Sequence, residues 1–122
     1  MSTLIYRIVR DEEVLHPNAV KTVFDREGFA LYFSRSTIPY YRDETSAAAY
    51  YKHHGIYAYR NDFLQHFATL PHGCLEQSER LEQLRALEHG FRIKVVLTDK
   101  DSIEVDTPED LQRVREEAVK MN

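Results

Sequence analysis

Two arginines stand where a guanidinium could bind an acidic ligand. Arg35 follows an alternating apolar run, within Ser34-Arg35-Ser36, and Arg42 lies in the loop beyond it. The planar donors of an arginine match the two oxygens of a carboxylate, which makes Arg35 a candidate for substrate binding. The alternative is an exposed arginine at the end of a strand, because most arginines in proteins are exposed. Arg42 is the weaker candidate of the two.

A pair of tyrosines could contact a polyhydroxylated ligand. Tyr57 and Tyr59 alternate in the segment Gly55 to Tyr59, a pattern that predicts a strand. Side chains two residues apart point to one face of a strand, so both hydroxyls could reach a polyol. Aromatic packing in a half-buried strand is the alternative.

Adjacent acid and amide side chains, Glu82 and Gln83, lie in a predicted helix that Gly90 ends. They offer acceptors and donors for ligand hydroxyls. Alternatively, they are the solvated flank of an amphipathic helix, since leucines recur beside them. The leucines on one side of this helix are Leu81, Leu84 and Leu87.

Asp106 is the candidate metal ligand. It directly precedes Thr107-Pro108, with Asp110 at the third helical position, a sequence that predicts a capped helix with Leu111, Val114 and Ala118 as its apolar stripe. A carboxylate at that point is stabilised in its ionised form and could bind Mg²⁺. Its alternative role is that of a loop acid that supports the cap. One carboxylate alone makes a poor magnesium site.

No structural zinc site is indicated. The six histidines have no zinc-like spacing relative to the single cysteine, Cys74. One cysteine allows no internal disulfide and suits a reducing cytoplasm. The histidines are His16, His53, His54, His66, His72 and His89.

Strand signals dominate the first third of the chain. Residues 1–9 alternate and start abruptly, which predicts a strand in the middle of a sheet. Residues 11–19 are polar and turn-like, with a proline that excludes a helix interior. Two alternating runs at 20–24 and 29–33 flank Gly28, which predicts a β-hairpin in which Phe29, Leu31 and Phe33 share a face.

The rest of the chain mixes loop, helix and strand. Residues 36–49 read as a loop, and the small-residue stretch 45–49 is expected to be its mobile part. Asn61 is a candidate N-cap of a short helix, and residues 93–97 alternate as a strand. The order predicts one α/β domain over residues 1–122, with too few parallel strands for a complete doubly wound sheet.

Composition narrows the classes of partner. The 122 residues carry a net charge of −4, with 43% hydrophobic and 30% charged residues, a typical soluble globular balance. This charge argues against broad nucleic-acid binding, which uses a basic face. No apolar run approaches the roughly 20 residues of a membrane span, and the first residues lack signal-peptide features.

Five segments, taken in order and spacing, carry a family resemblance. Together they resemble the second half of 3-deoxy-manno-octulosonate cytidylyltransferases, the CMP-Kdo synthetases. The segments are His16-Pro-Asn-Ala-Val-Lys21, Ala30-Leu-Tyr-Phe-Ser-Arg-Ser-Thr-Ile-Pro39, His53-His-Gly-Ile-Tyr-Ala-Tyr59, Leu81-Glu-Gln-Leu-Arg85 and Val105-Asp-Thr-Pro-Glu-Asp110.

The resemblance implies the C-terminal portion of a Rossmann-like nucleotidyltransferase fold, with a β-hairpin that forms a homodimer. It implies a magnesium-dependent reaction of CTP with the sugar acid Kdo, giving CMP-Kdo and pyrophosphate for lipopolysaccharide biosynthesis in the cytoplasm. Catalysis of this kind depends mainly on positioning and charge neutralisation.

Individual residues gain roles through the resemblance. Arg35, His53 rather than His54, and Tyr57 would line the sugar-acid site, together with Glu82 and Gln83; Arg42 has no certain counterpart. Asp106 would share magnesium with an aspartate of the other half. We therefore expect the side chains from these separate segments to face one concavity, with Asp106 at its rim.

Two elements of the family pattern are not found in this sequence. They are the basic, glycine-containing phosphate loop and the Gln-Gly-Asp-Glu-Pro-like segment that binds metal. The expectation is that residues 1–122 are the sugar-acid-binding and dimerisation half, inactive by itself, with CTP bound only together with the other half. Two alternatives remain: a non-catalytic module that binds a sugar acid or a partner protein, and the same half of an enzyme for another ulosonic acid, such as a sialic acid.

Overall fold

A computed structural model describes residues 1–44 and 47–121. Within these residues, five strands form one mixed sheet, and five helices accompany it. The strands are β1 (Ser2–Arg7), β2 (Lys21–Phe24), β3 (Ala30–Ser34), β4 (Tyr51–Ala58) and β5 (Lys94–Thr98). The helices are α1 (Asp11–Leu15), α2 (Asn61–Phe67), α3 (Cys74–Glu79), α4 (Gln83–Glu88) and α5 (Pro108–Lys120).

The first strand lies inside the sheet, as predicted. The strand order is β3-β2-β4-β1-β5, and β1 pairs antiparallel with β4 and parallel with β5. Thr3 and Ile5 point to the buried face of β1. This face belongs to a core that contains Phe33, Leu84 and Ile93.

The predicted hairpin joins β2 and β3, and its turn is built by two residues. Asp25 Oδ1 accepts the N–H groups of Glu27 and Phe29, each at 2.9 Å. Gly28 adopts φ = 82°, a conformation that side chains other than glycine rarely accept. The hairpin then folds back onto β5, where Gly28 C=O accepts the N–H of Val95 at 2.9 Å.

The faces of β3 differ from the prediction. Phe33 is fully buried, whereas Leu31 is 61% exposed, so they do not share a face. A register shift causes this difference, because Val23 pairs with Tyr32 while the next residue, Phe24, pairs with Ala30. Leu31 is the extra residue of a β-bulge and turns outward.

Segment 11–19 is not entirely turn-like. Asp11–Leu15 forms a one-turn helix whose first turn is acidic, which the helix dipole favours. It ends at His16, which is extended because Pro17 follows. Two further differences concern helices: α3 was not predicted, and the N-cap of α2 is Arg60, so Asn61 is the first helical residue.

The predicted ends of α4 and α5 agree with the structure. Gly90 has φ = 82° immediately after α4. At α5, Asp110 N–H donates to Thr107 Oγ1 at 3.2 Å, and Thr107 N–H donates to Asp110 Oδ2 at 3.0 Å. The apolar stripe of α5 is not buried in this chain.

Part of the predicted mobile stretch, Thr45 and Ser46, lies outside the described residues. Within the described residues, no helix has both the length and the apolar character that crossing a bilayer requires.

Candidate functional site

Backbone carbonyl groups hold the Arg35 guanidinium at the end of β3. Its Nε donates to Glu79 O at 2.7 Å, Nη1 to Pro17 O at 3.1 Å and Nη2 to Arg80 O at 3.3 Å. In residues 1–44 and 47–121, Arg35 forms no ion pair with a carboxylate. The side chain is therefore oriented without a carboxylate of the described residues at ion-pair distance from its guanidinium, and unused N–H donors remain for an anion.

Two of the carbonyl groups that accept from Arg35, those of Glu79 and Arg80, lie where α3 ends in a left-handed residue. Arg80 ends α3 with φ = 54°, and Leu81 N–H donates back to Glu76 O at 3.2 Å. This closure is typical of a helix that stops abruptly. After this left-handed residue the chain continues through Leu81 and Glu82 into α4. Arg35, which donates to Arg80 O, therefore lies beside the segment that precedes α4.

His53 is buried on β4 next to a threonine of β1. Only 6% of His53 is exposed, and its Nε2 lies 2.8 Å from Thr3 Oγ1. Because the threonine hydroxyl donates its one proton to a backbone carbonyl, Nε2 carries the imidazole proton and Nδ1 keeps a lone pair. Burial, reinforced by neighbouring His54, lowers the pKa of His53 to about 4. The ring is thus neutral near pH 7.

Tyr57 lies beside His53 on the same strand, with ring centroids 5.4 Å apart. Burial raises the pKa of its hydroxyl, and the charges of Tyr59, Glu82 and Glu104 raise it further. Tyr57 thus stays a protonated hydrogen-bond donor. Tyr59 follows with ring centroids 5.9 Å from Tyr57, then stacks on the aromatic side chain of Phe63.

Glu82 stands at the start of α4, and the two candidates there differ in exposure. The Glu82 side chain is 72% exposed, while Gln83 is buried. Beyond the effect of burial, the charge of Glu82 raises the pKa of both Tyr57 and Tyr59, and Glu82 Oε1 lies 3.8 Å from Arg85 Nη2. Arg35, which donates to Arg80 O, and Glu82 thus both lie near the α3–α4 turn, while His53 and Tyr57 lie on β4. That these four side chains face one concavity and bind one ligand stays a prediction.

A buried ion pair that the sequence did not indicate fixes α4. Glu76 on α3 receives two hydrogen bonds from Arg85, Nε to Oε2 at 2.9 Å and Nη2 to Oε1 at 2.6 Å. These bonds lower the pKa of Glu76. Arg85 also lies over the Phe67 ring, 5.1 Å from its centroid. Nothing in the local pattern around Glu76 marks it as a partner of Arg85.

Asp106 lines a different cavity, of about 100 Å³, together with Lys52 and Arg113. Its carboxylate accepts no hydrogen bond and forms no ion pair within the described ranges. Glu104 connects this cavity to β4, because its Oε1 accepts the N–H of Gly55 at 3.2 Å. The cavity is also lined by His16 and Asn18, which flank the Pro17 whose carbonyl accepts from Arg35 Nη1. That Asp106 lies at the rim of the sugar-acid site stays a prediction.

The donor set around Asp106 fits a share of a magnesium site. A carboxylate with no competing partner is a suitable hard ligand, and Mg²⁺ often takes only one or two carboxylates from a protein. Among the residues that the structure describes, no three His, Cys, Asp or Glu side chains gather as a metal site. The remaining ligands would have to come from water, phosphates or another part of the protein.

A network of four charges that sequence patterns did not reveal adjoins the same cavity, and Arg10, Glu13 and Lys52 of this network line it. The buried Lys52 ammonium lies 2.7 Å from Glu13 Oε2 and 2.6 Å from Asp101 Oδ1. Arg10 closes the ring at 2.6 Å from Glu13 and 3.1 Å from Asp101. The network ties α1, β4 and the loop before Asp106 together.

Arg42 is not brought to the region around Arg35. It lines a separate surface groove with Tyr40, Tyr41 and Tyr50. Its role as a second anion-binding residue stays a prediction.

Comparison with known proteins identifies relatives over nearly the whole chain. Residues 1–103 match the family model described as cytidylyltransferase. A 3-deoxy-manno-octulosonate cytidylyltransferase of Syntrophus aciditrophicus is 67% identical over 116 residues, which are 95% of this chain and 47% of that protein. An 8-amino-3,8-dideoxy-manno-octulosonate cytidylyltransferase of Shewanella sp. (strain ANA-3) is 57% identical over 113 residues, which are 93% of this chain and 46% of that protein.

A solved structure shares the fold. A CMP:2-keto-3-deoxy-manno-octonic acid synthetase complexed with CTP superposes with a TM-score of 0.88 at 42% identity, covering 99% of this chain and 49% of that chain. The predicted α/β nucleotidyltransferase fold is confirmed. The chain spans about half the length of the relatives that it matches. It belongs to the cytidylyltransferase family.

Proposed function

We propose that this chain supplies the sugar-acid side of an active site that transfers CMP from CTP to Kdo. The observation that carries the proposal is the Arg35 guanidinium, which is oriented by three carbonyl groups and has no carboxylate partner in the described residues. A cation held in this way is suited to the carboxylate of a sugar acid. Relatives named for Kdo and for its 8-amino derivative support this class of substrate.

The neighbouring side chains suit the hydroxyl groups of the same ligand. Neutral His53 offers an acceptor at Nδ1, protonated Tyr57 offers a donor, and the exposed Glu82 carboxylate accepts from hydroxyls. Gln83 adds an amide at the buried end of α4. Together these groups hold the sugar acid in one orientation, which is the main protein contribution to a reaction of this kind.

The proposed reaction is an in-line displacement. A hydroxyl of the sugar acid attacks the α-phosphorus of CTP and releases its proton to water, the new P–O bond replaces the anhydride bond to the β-phosphate, and pyrophosphate leaves. Asp106 would hold magnesium, which when bound neutralises phosphate charge. We assign CTP binding and the further metal ligands to a part corresponding to the half of the relatives that this chain does not cover. We therefore propose that residues 1–122 release no pyrophosphate by themselves.

A binding experiment tests the assignment of Arg35. Isothermal titration of the chain with Kdo should give measurable binding, which Arg35→Gln weakens by about tenfold or more because a charge-assisted bidentate contact is lost. The methyl ester of Kdo should bind the wild-type chain as poorly as Kdo binds the variant. The 8-amino derivative, titrated in parallel, decides which of the two acids is preferred.

Arg92→Gln is the matched control, because Arg92 is an exposed arginine that lies on the Phe29 ring, 3.4 Å from its centroid, away from β4. It should leave Kdo binding unchanged. Equal affinity of Kdo for wild type and Arg35→Gln, or equal affinity of the acid and its ester, contradicts the proposal. A complete protein that binds Kdo without releasing pyrophosphate from CTP would instead favour the non-catalytic sugar-acid-binding module.

A further inference from the structure

Lys21 is a buried cation that has no carboxylate within ion-pair distance among the described residues, although the charge of Glu13 partly offsets the effect of burial on its pKa. It is fully buried in β2, where its ammonium donates to His16 O at 2.6 Å and to Arg35 O at 3.4 Å. Within residues 1–44 and 47–121, it forms no ion pair with a carboxylate. Burying a charge without one is costly, and burial accordingly lowers the pKa of Lys21. An apolar side chain of similar length would fill the same space without that cost.

Glu79 forms two hydrogen bonds with Arg35. Its Oε1 accepts the backbone N–H of Arg35 at 3.2 Å, and its carbonyl accepts Nε of the same residue at 2.7 Å. Both polar groups of the Arg35 backbone are therefore held by charged side chains, the N–H by Glu79 and the C=O by Lys21. Lys21 also holds His16 O, next to the Pro17 carbonyl that receives Nη1.

The contacts of Lys21 and Glu79 both fix the backbone of Arg35. Two segments hold the guanidinium, one around Pro17 and one around Glu79. Lys21 and Glu79 each fix one of these segments to the Arg35 backbone. We propose that Lys21 and Glu79 are positioning residues that keep the Arg35 guanidinium rigid before ligand binds. The inference rests on the proposed function for its purpose, since a rigid cation loses less conformational entropy when a carboxylate binds.

The rigidity of Arg35 can be measured without ligand. In the wild-type chain, the ¹⁵N heteronuclear NOE of Arg35 Nε–H should be as high as that of amides in β4, because three acceptors hold the group. Lys21→Met and Glu79→Ala should each lower it to the level of exposed arginines such as Arg26. Glu79→Gln keeps an acceptor for the backbone N–H and should preserve the wild-type value. In a parallel titration, the two disruptive variants should weaken Kdo binding by about tenfold.

Lys94→Met is the control, since Lys94 is an exposed lysine that also donates to a backbone carbonyl, that of Glu27. It should change neither the NOE nor binding. If Lys21→Met does not give a folded spectrum, the comparison of Glu79→Ala with Glu79→Gln tests the inference, because Glu79 is only half-buried. An unchanged Arg35 NOE in folded variants overturns the inference, whatever their stability. A wild-type chain with a rigid Arg35 that binds no Kdo refutes the proposed function instead and leaves the positioning role standing.

Discussion

His53 makes the stability of the fold depend on pH. Its pKa is about 4 in the folded chain, against an ordinary value of 6.5. Above pH 6.5 the ring is neutral in both states, so it adds no penalty. Between pH 6.5 and 4 the unfolded chain takes up a proton that the folded chain excludes, so stability falls as the pH falls. The full loss from this group is about 3 kcal/mol.

Urea unfolding at pH 7.5, 5.5 and 4.5 measures this effect. His53→Gln should flatten the loss of free energy of unfolding between pH 6.5 and 4, because glutamine does not titrate. His66→Gln, at an exposed position on α2, should keep the wild-type pH dependence. The same slope in wild type and His53→Gln would show that His53 takes up its proton while folded.

Residue roles that depend on neighbours along the chain were predictable, and roles that depend on distant partners were not. Thr107 and Asp110 form their cap because they are three residues apart in one helix. Lys21 gains its importance from Arg35 and His16, and no spacing rule indicates that combination. Arg35, His53 and Tyr57 were identified through the resemblance; residue type alone favoured an exposed role for Arg35 and a core role for Tyr57.

At the scale of elements, the β2–β3 turn offers a direct test of backbone strain. Gly28 has φ = 82°, and an added Cβ would lie 3.2 Å from Lys94 Nζ. Gly28→Ala should therefore lower the free energy of unfolding by about 1–2 kcal/mol. Urea unfolding measures the change.

Gly55→Ala is the comparison for that turn, since a Cβ there meets only Glu104 Oε1 at 3.9 Å, an ordinary contact. We expect it to change stability by less than about 0.5 kcal/mol. If Gly28→Ala is as mild as Gly55→Ala, the turn tolerates alanine and Gly28 is not required there.

Element boundaries failed where tertiary contacts override local pattern. The β-bulge at Leu31 could not be inferred, because alternation alone gives Phe29, Leu31 and Phe33 one common face. The one-turn helix Asp11–Leu15 is stabilised by its acidic first turn and by Glu13, whose pairing with Lys52 and Arg10 spans distant elements. Pro17 led to the prediction of a turn-like segment, although a proline restricts only the residues next to it.

For the whole molecule, we predict self-association through the hairpin of β2 and β3. Leu31, on the outer side of β3, is 61% exposed, and an apolar residue on an exposed strand suits a contact between copies. Sedimentation equilibrium should show a dimer at tens of micromolar, where an association of roughly 7 kcal/mol is already populated. Leu31→Lys should shift the chain to monomer.

Leu97→Lys serves as its control, because Leu97 is equally exposed but lies on β5 rather than β3. It should leave the dimer intact. A wild-type chain that stays monomeric at this concentration contradicts the prediction, as does a dimer that Leu97→Lys abolishes while Leu31→Lys does not.

The return of the hairpin onto β5 has a consequence for how the chain folds. Ala30 N–H donates to Ile93 O and Val95 N–H to Gly28 O, so the tip of an early hairpin and a late strand share hydrogen bonds across more than sixty residues. Neither segment can complete its bonds until the intervening strand and helices have brought β5 into place. Opening the hairpin tip therefore also breaks bonds of β5, and the amide protons of Ala30 and Val95 should exchange with solvent at a common rate, as one cooperative unit.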